Sequence, residues 1–244
     1  MKKTLLQIVQ NILSDLDSED VNSISDTVEA MQIARVVENT FYNIVATRDV
    51  PEHTSMLKLT ALSDSARPTH FQYPDNVKSV TDVWYDKSDD SSFEYGVVRY
   101  LSPKEFLRKT DARTSDYTSV TTVVGGVSLR IGNNKMPDFY TSFDDDYIVM
   151  DSHDNTIDST LTAAKVRAIG ATIPVFSQSD TYTPDLDDVM FPYLINESKS
   201  VCFSLFKGGP DPKIDQAARR QKSYVQNDLY KTKQENKRPK YGRG

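Results

Sequence analysis

The sequence predicts an α+β chain: an N-terminal helical hairpin and C-terminal helices forming a helical bundle, a central mainly antiparallel β insertion, and an extended C-terminal arm. Three observations carry this. Apolar residues recur at three- and four-residue steps near the start, the period shortens to strand-like runs rich in Val, Tyr, Thr and Phe from Met56 to Tyr182, and helical period returns after Pro184. The expected divisions are 1–50 for the hairpin, 51–183 for the β-rich region, 184–230 for the C-terminal helices packing with the hairpin, and 231–244 for the arm.

Leu5, Leu6, Ile8, Val9, Ile12, Leu13 and Leu16 carry the first helix. An acidic, serine-rich connection, Ser14 to Ser25, follows. The second helix is expected to start at Asp26, with Glu29 completing a capping box, and to bury Val28, Met31, Ala34, Val37, Phe41, Ile44 and Val45. It should stop before Pro51, because the residue preceding a proline disfavours the helical conformation. Strands are expected over Met56 to Leu62, Val77 to Tyr85, Tyr95 to Leu101, Val120 to Ile131, Phe139 to Phe143 and Tyr147 to Met150, with turns at Asp86 to Ser92 and Gly132-Asn133-Asn134. Ser102-Pro103-Lys104-Glu105 orders a cap, a first-turn proline and a capping-box glutamate, which predicts one short helix inside the β region. Further on, Leu194, Ser198, Val201 and Leu205 share a face, with Ile195, Cys202 and Phe206 beside it, and this helix is expected to pack on the hairpin as the main core. Gly208-Gly209-Pro210 ends it. Asp211 and Pro212 open a last helix carrying Ile214, Ala218, Val225 and Leu229. From Lys231 onward there is no aliphatic side chain, so nothing offsets the entropy of ordering that segment alone.

With 244 residues and 38% hydrophobic content the chain can build one core or two small ones. No stretch reaches the uninterrupted apolar length of a membrane-spanning helix. Lys2 and Lys3 precede Leu5 and Leu6 without a small-residue cleavage site after them, so the expected compartment is a cytosol. The one cysteine, Cys202, sits in the apolar run Val201, Cys202, Phe203, Leu205, Phe206, which points to a buried thiol rather than a nucleophile. Charge is divided unevenly. Residues 207–244 hold eleven basic side chains against four acidic ones, net +7, while residues 1–206 hold eighteen against thirty-one, net −13. An acidic body therefore carries a basic tail, a pattern that suits an acidic partner, protein or nucleic acid.

Catalytic motifs are sparse. His53, His70 and His153 lie in unrelated surroundings and no His-x-x-x-His or Glu-x-x-His spacing occurs, so no metal and no cofactor is expected. Neither a phosphate-binding Gly-x-x-x-x-Gly-Lys-Ser/Thr loop nor a Gly-x-Ser-x-Gly elbow is present, and Gly125-Gly126 reads as a bulge or turn between strands. The best enzymatic candidate is the acidic stretch from Asp144 to Asp154, in which Asp144, Asp146 and Asp151 could hold a divalent cation for a nuclease. The competing reading is a solvated acidic turn before a strand, and it is preferred because no phosphate-clamping residue accompanies the carboxylates. The tail's Lys231, Lys233, Lys237, Arg238, Lys240 and Arg243 could touch phosphates without reading sequence, dock on a protein, or stay solvated. Its sole aromatic, Tyr241, makes no stacking platform.

Several segments resemble the head-to-tail adaptor proteins of short-tailed phages, relatives of the tail tubular protein A. They are Leu5 to Glu19, Val21 to Glu29, Tyr140 to Val149 with Asp151-Ser152, Asp158 to Leu161, Pro184-Asp185-Leu186, Phe191-Pro192, Glu197 to Ser200 and Ala217 to Gln221, spread in order along nearly the whole chain. The resemblance implies a structural virion protein and not an enzyme: a subunit of a dodecameric ring joining the portal to the tail and continuing the DNA channel. The partners it implies are the portal protein, neighbouring copies of the chain, and a tail nozzle protein on the distal side, with DNA passing without sequence-specific binding and no membrane. It implies the virion neck, reached from the host cytoplasm during assembly, as the location. It transfers no active-site residues. Joined to the charge pattern, it assigns a portal-docking arm made of Arg219, Arg220, Lys222, Tyr224, Lys231, Lys233, Lys237, Arg238, Lys240, Tyr241 and Arg243. The alternatives are a nucleic-acid-binding accessory protein using that tail and a metal-dependent nuclease centred on Asp144, Asp146 and Asp151.

Overall fold

The computed structural model of the chain describes residues 2–47, 53–62, 66–88, 92, 94–123, 125–144, 146–153, 166–209 and 212–235. The fold is mixed α+β, and it divides into two compact units. One joins Met1–Glu52 to Pro174–Gly244, and the other is His53–Ile173. Segment 174–183, expected in the β region, thus belongs with the helices.

In the helical unit, α1 spans Leu5–Asp15, α2 Val28–Thr47, α4 Phe191–Phe206 and α5 Pro212–Glu235. The start of α1 is closed by a full capping box: the Gln7 amide donates to the Thr4 hydroxyl and the Thr4 amide to the Gln7 side chain. Free amides at the same end find partners in the 180–182 segment, Leu5 donating to the Tyr182 carbonyl at 2.7 Å and Leu6 to that of Asp180 at 3.3 Å. Leu5, Ile8, Val9, Ile12 and Leu13 are buried. Phe176 anchors the neighbouring stretch, with Phe41 at 5.3 Å and Tyr182 at 4.7 Å between ring centroids, and its amide donates to the Tyr42 hydroxyl at 3.0 Å.

Three expectations are corrected in this unit. Thr27, not Asp26, caps α2, accepting from the Ala30 amide at 3.1 Å, while Asp26 instead accepts from the amides of Asn22 and Ser23 in the preceding turn. Glu29 accepts from the Ser18 hydroxyl, so the expected capping box does not form. Val28 and Met31 are exposed, because they fall on the stripe shared with Arg35 and Glu38; the buried stripe is Ala30, Ile33, Ala34, Val37, Phe41, Ile44 and Val45. On α4 the buried face runs through Phe191, Leu194, Ser198 and Cys202, and Val201 (40% exposed) and Leu205 (63%) lie on the next stripe, turned out. The helix does pack against α2 and α1, and α5 packs on α4. Gly208, at φ +72°, ends α4 in the left-handed conformation.

Among the described residues of the other unit there are eleven strands and two core clusters. The strands are β1 Thr54–Leu57, β2 Thr60–Ala61, β3 His70–Gln72, β4 Val77–Asp86, β5 Tyr95–Tyr100, β6 Tyr117–Thr121, β7 Ser128–Asn133, β8 Phe139–Thr141, β9 Tyr147–Met150, β10 Ser152–His153 and β11 Val166–Thr172. Eight form one curled sheet in the order β1-β11-β4-β5-β8-β9-β3-β2, all pairs antiparallel except β5 with β8. Its buried side chains form one core cluster that includes Leu57, Leu59, Phe71, Val83, Tyr85, Val98, Tyr140, Ile148 and Ala168. The strand β11, which no sequence expectation covered, pairs with both β1 and β4, and its ladder with β4 shifts register after Ile169 and after Ala171. Gly170 sits at the first shift, where an added Cβ would lie 2.2 Å from the Ser79 carbonyl oxygen.

The smaller sheet, β10-β7-β6, supports α3 (Pro103–Asp111) over Phe106, Val120, Leu129 and Ile131. The strand-like run Val120 to Ile131 forms the facing ends of a hairpin, with the turn where it was expected, at Gly125 (φ +80°) and Gly126 (φ +61°). At the start of α3 the Glu105 amide donates to the Ser102 hydroxyl, which itself donates to the Glu105 carboxylate at 3.0 Å. Strands β3 and β10 also went unforeseen.

Candidate docking surface

Helix α5 places the described part of the arm. Ala218 and Val225, seven residues apart, are its buried contacts, and at about 100° per residue they define one face. Arg220 takes the opposite face, Arg219 and Tyr224 (60% exposed) lie on its two sides, and Lys222, although nearer the buried face, is exposed as well. Two contacts fix the first turns of the helix. Ser200 on α4 donates to the Asp215 carboxylate at 2.7 Å, and Arg219 pairs with the same carboxylate at 3.0 Å along the helix. The Ser200 hydrogen bond and the Arg219 guanidinium hold the Asp215 carboxyl below its usual range.

The expected arm boundary is corrected in one respect. Helix α5 continues through Glu235, so Lys231 and Lys233 stand on a helix and not in an extended strand. A helix needs no aliphatic residue to continue once nucleated, because its backbone hydrogen bonds are satisfied internally. Lys237, Arg238, Lys240, Tyr241 and Arg243 lie outside the described residues.

The acidic stretch does not behave as a unit. Asp144 caps its own turn, accepting from the Asp146 amide at 3.1 Å and the Tyr147 amide at 3.0 Å. Asp151 is buried and committed elsewhere: one oxygen accepts from the amides of Asp138 and Phe139, both at 3.0 Å, and the other pairs with Arg113 at 2.5 Å. Arg113 also donates to the Asp151 and Arg130 carbonyls, so a single guanidinium ties α3's exit to β7 and the end of β9. Sequence reading missed this junction because its partners are 38 residues apart. Among the described residues no three His, Cys, Asp or Glu side chains converge to hold a metal ion, and no helix is long and apolar enough to cross a membrane. Cys202 is fully buried, and burial pushes its thiol up to about 12.

No protein-family model matches the chain, and no curated relative matches it.

Proposed function

We propose that the chain is a structural subunit of a phage neck: a head-to-tail adaptor whose copies form a ring, dodecameric by resemblance, joining the portal to the tail and continuing the DNA channel. The observation that carries the reading is the charge division between a net −13 body and a basic α5 whose outward face presents Arg220 and Tyr224. A rigid helix bearing cations is suited to an acidic groove on the portal, where it speeds encounter and sets orientation. In this reading α1, α2, α4 and α5 act as a helical bundle into which the β region is inserted, and the acidic body repels the phosphate backbone so that DNA passes without sticking. A head-to-tail ring uses two different faces of each copy and closes when the rotation per subunit divides the circle. Neighbouring copies, the portal and a distal nozzle protein are its partners, and the virion neck its location; neither catalysis nor a cofactor is assigned.

Negative-stain imaging of the full chain mixed with portal particles tests it, with a ring of subunits capping one end expected. Portal particles that stay bare at every chain concentration would sink the adaptor reading. The same cations favour one second reading, an accessory protein that holds nucleic acid through the tail. That reading requires duplex affinity falling steeply with salt in the chain by itself.

A further inference from the structure

The β unit contains a cleft of about 800 Å³ that the proposed adaptor role does not use. It lies where the first half of β4, Val77 to Thr81, runs past the ends of β5, β8 and the 72–75 turn. Three tyrosines stand in its wall. Tyr100 is 57% exposed and meets Tyr140 edge-on, with ring centroids 5.5 Å apart, and Tyr73 is half-buried, its amide held by the Asp146 carbonyl at 2.9 Å. Tyr140 is only 4% exposed, and burial pushes its hydroxyl up to about 12. Asp75, Asp146, Lys78 and Gln72 also line it. The Ser142 hydroxyl, also in the wall, is shielded from water and makes no hydrogen bond among the described residues.

We infer that this cleft binds a neutral saccharide. The chemistry of the lining selects the class. The exposed Tyr100 ring can accept the apolar C–H side of a pyranose, while the carboxylate and amide groups of the wall accept and donate to its hydroxyls, a mixture of flat apolar surface and polar groups that suits a small-molecule site. Two carboxylates against one lysine disfavour a phosphate or uronate ligand, and the polar walls disfavour a lipid chain. The assignment stands apart from the ring role, since the full chain in solution suffices for binding.

The test is an array of immobilised oligosaccharides, neutral hexose and N-acetylhexosamine chains beside uronate-containing ones, probed with the full chain and followed by titration of the best neutral ligand. Selective capture by neutral glycans is expected. Tyr100→Ala, a change at an exposed ring, should weaken binding by about tenfold or more, the equivalent of one lost anchor, and Asp75→Asn should weaken it while the circular dichroism spectrum stays unchanged. Decalysine serves as the competing peptide probe. The inference is overturned if no neutral glycan is captured, if both folded variants bind as the parent does, or if decalysine binds and the glycans do not.

Discussion

Four side chains show how a residue's neighbours set its energetic role. Asp151 is buried with Arg113 as its one cation partner among the described residues, so Arg113→Met strands a charge and should destabilise the β unit by about 3–5 kcal/mol in urea unfolding; a change under 1 kcal/mol would mean the carboxylate finds water or a proton cheaply. Ser198 is the reverse case. Its hydroxyl is buried on α4 without a hydrogen-bond partner among the described residues, so Ser198→Ala should leave stability unchanged or raise it by about 1 kcal/mol. Its neighbour Val201 faces outward, and Val201→Asp is expected to shift the melting temperature little, whereas Leu194→Asp, on the fully buried stripe, should abolish folding. Tyr140 sets an alkaline limit. Its folded pKa, about 12, lies above the ordinary 10, so its contribution is complete below pH 10 and is lost as pH rises towards 12. Urea midpoints measured from pH 9 to 12 should therefore fall more steeply for the parent than for Tyr140→Phe, which has no proton to lose there.

At the scale of elements, β11 decides whether the large sheet exists. It joins β1 to β4, and its register shift at Gly170 works only without a side chain, since a methyl there would strike backbone and the Leu57 side chain at 2.7 Å. Gly170→Ala is expected to cost about 1–3 kcal/mol by overpacking and to speed amide exchange in β1 before β9; uniform protection in both strands would show that the ladder absorbs the methyl. Helix α5 behaves differently, because its outward cations contact no core. Reversing Arg220 and Lys222 to Glu should keep the far-ultraviolet spectrum and weaken portal capture at least tenfold at low salt, with the difference shrinking as salt rises. Equal capture by parent and variant would remove the arm from the docking surface.

For the whole molecule, electrostatics opposes self-association. Bringing two net −13 bodies together costs free energy in addition to the lost translational freedom, so the chain without portal is expected to sediment as a monomer or a loose mixture, a stable dodecamer at physiological salt being the contrary result. How much of this molecule could be read in advance depended on the range of the signal. The caps at Ser102, the stop at Gly208 and the strands β4 and β5 rest on neighbours within a few residues, and the expected positions agree with the structure. The cleft was invisible, because Tyr73, Tyr100, Tyr140 and Ser142 approach only when β3, β5 and β8 join one sheet.

The sequence by itself determined the α+β class, the basic tail on an acidic body and most local boundaries, since periodicity, capping and charge are properties of short windows. Tertiary structure alone decided which of two adjacent helical stripes is buried, at Val28 against Ala30 and at Val201 against Cys202. Each pair puts apolar residues on two neighbouring stripes, and the packing partner chooses which of them is buried. It also decided that Asp151 belongs to Arg113 rather than to Asp144 and Asp146, because a buried carboxylate must find its donors wherever the chain brings them, here across 38 residues.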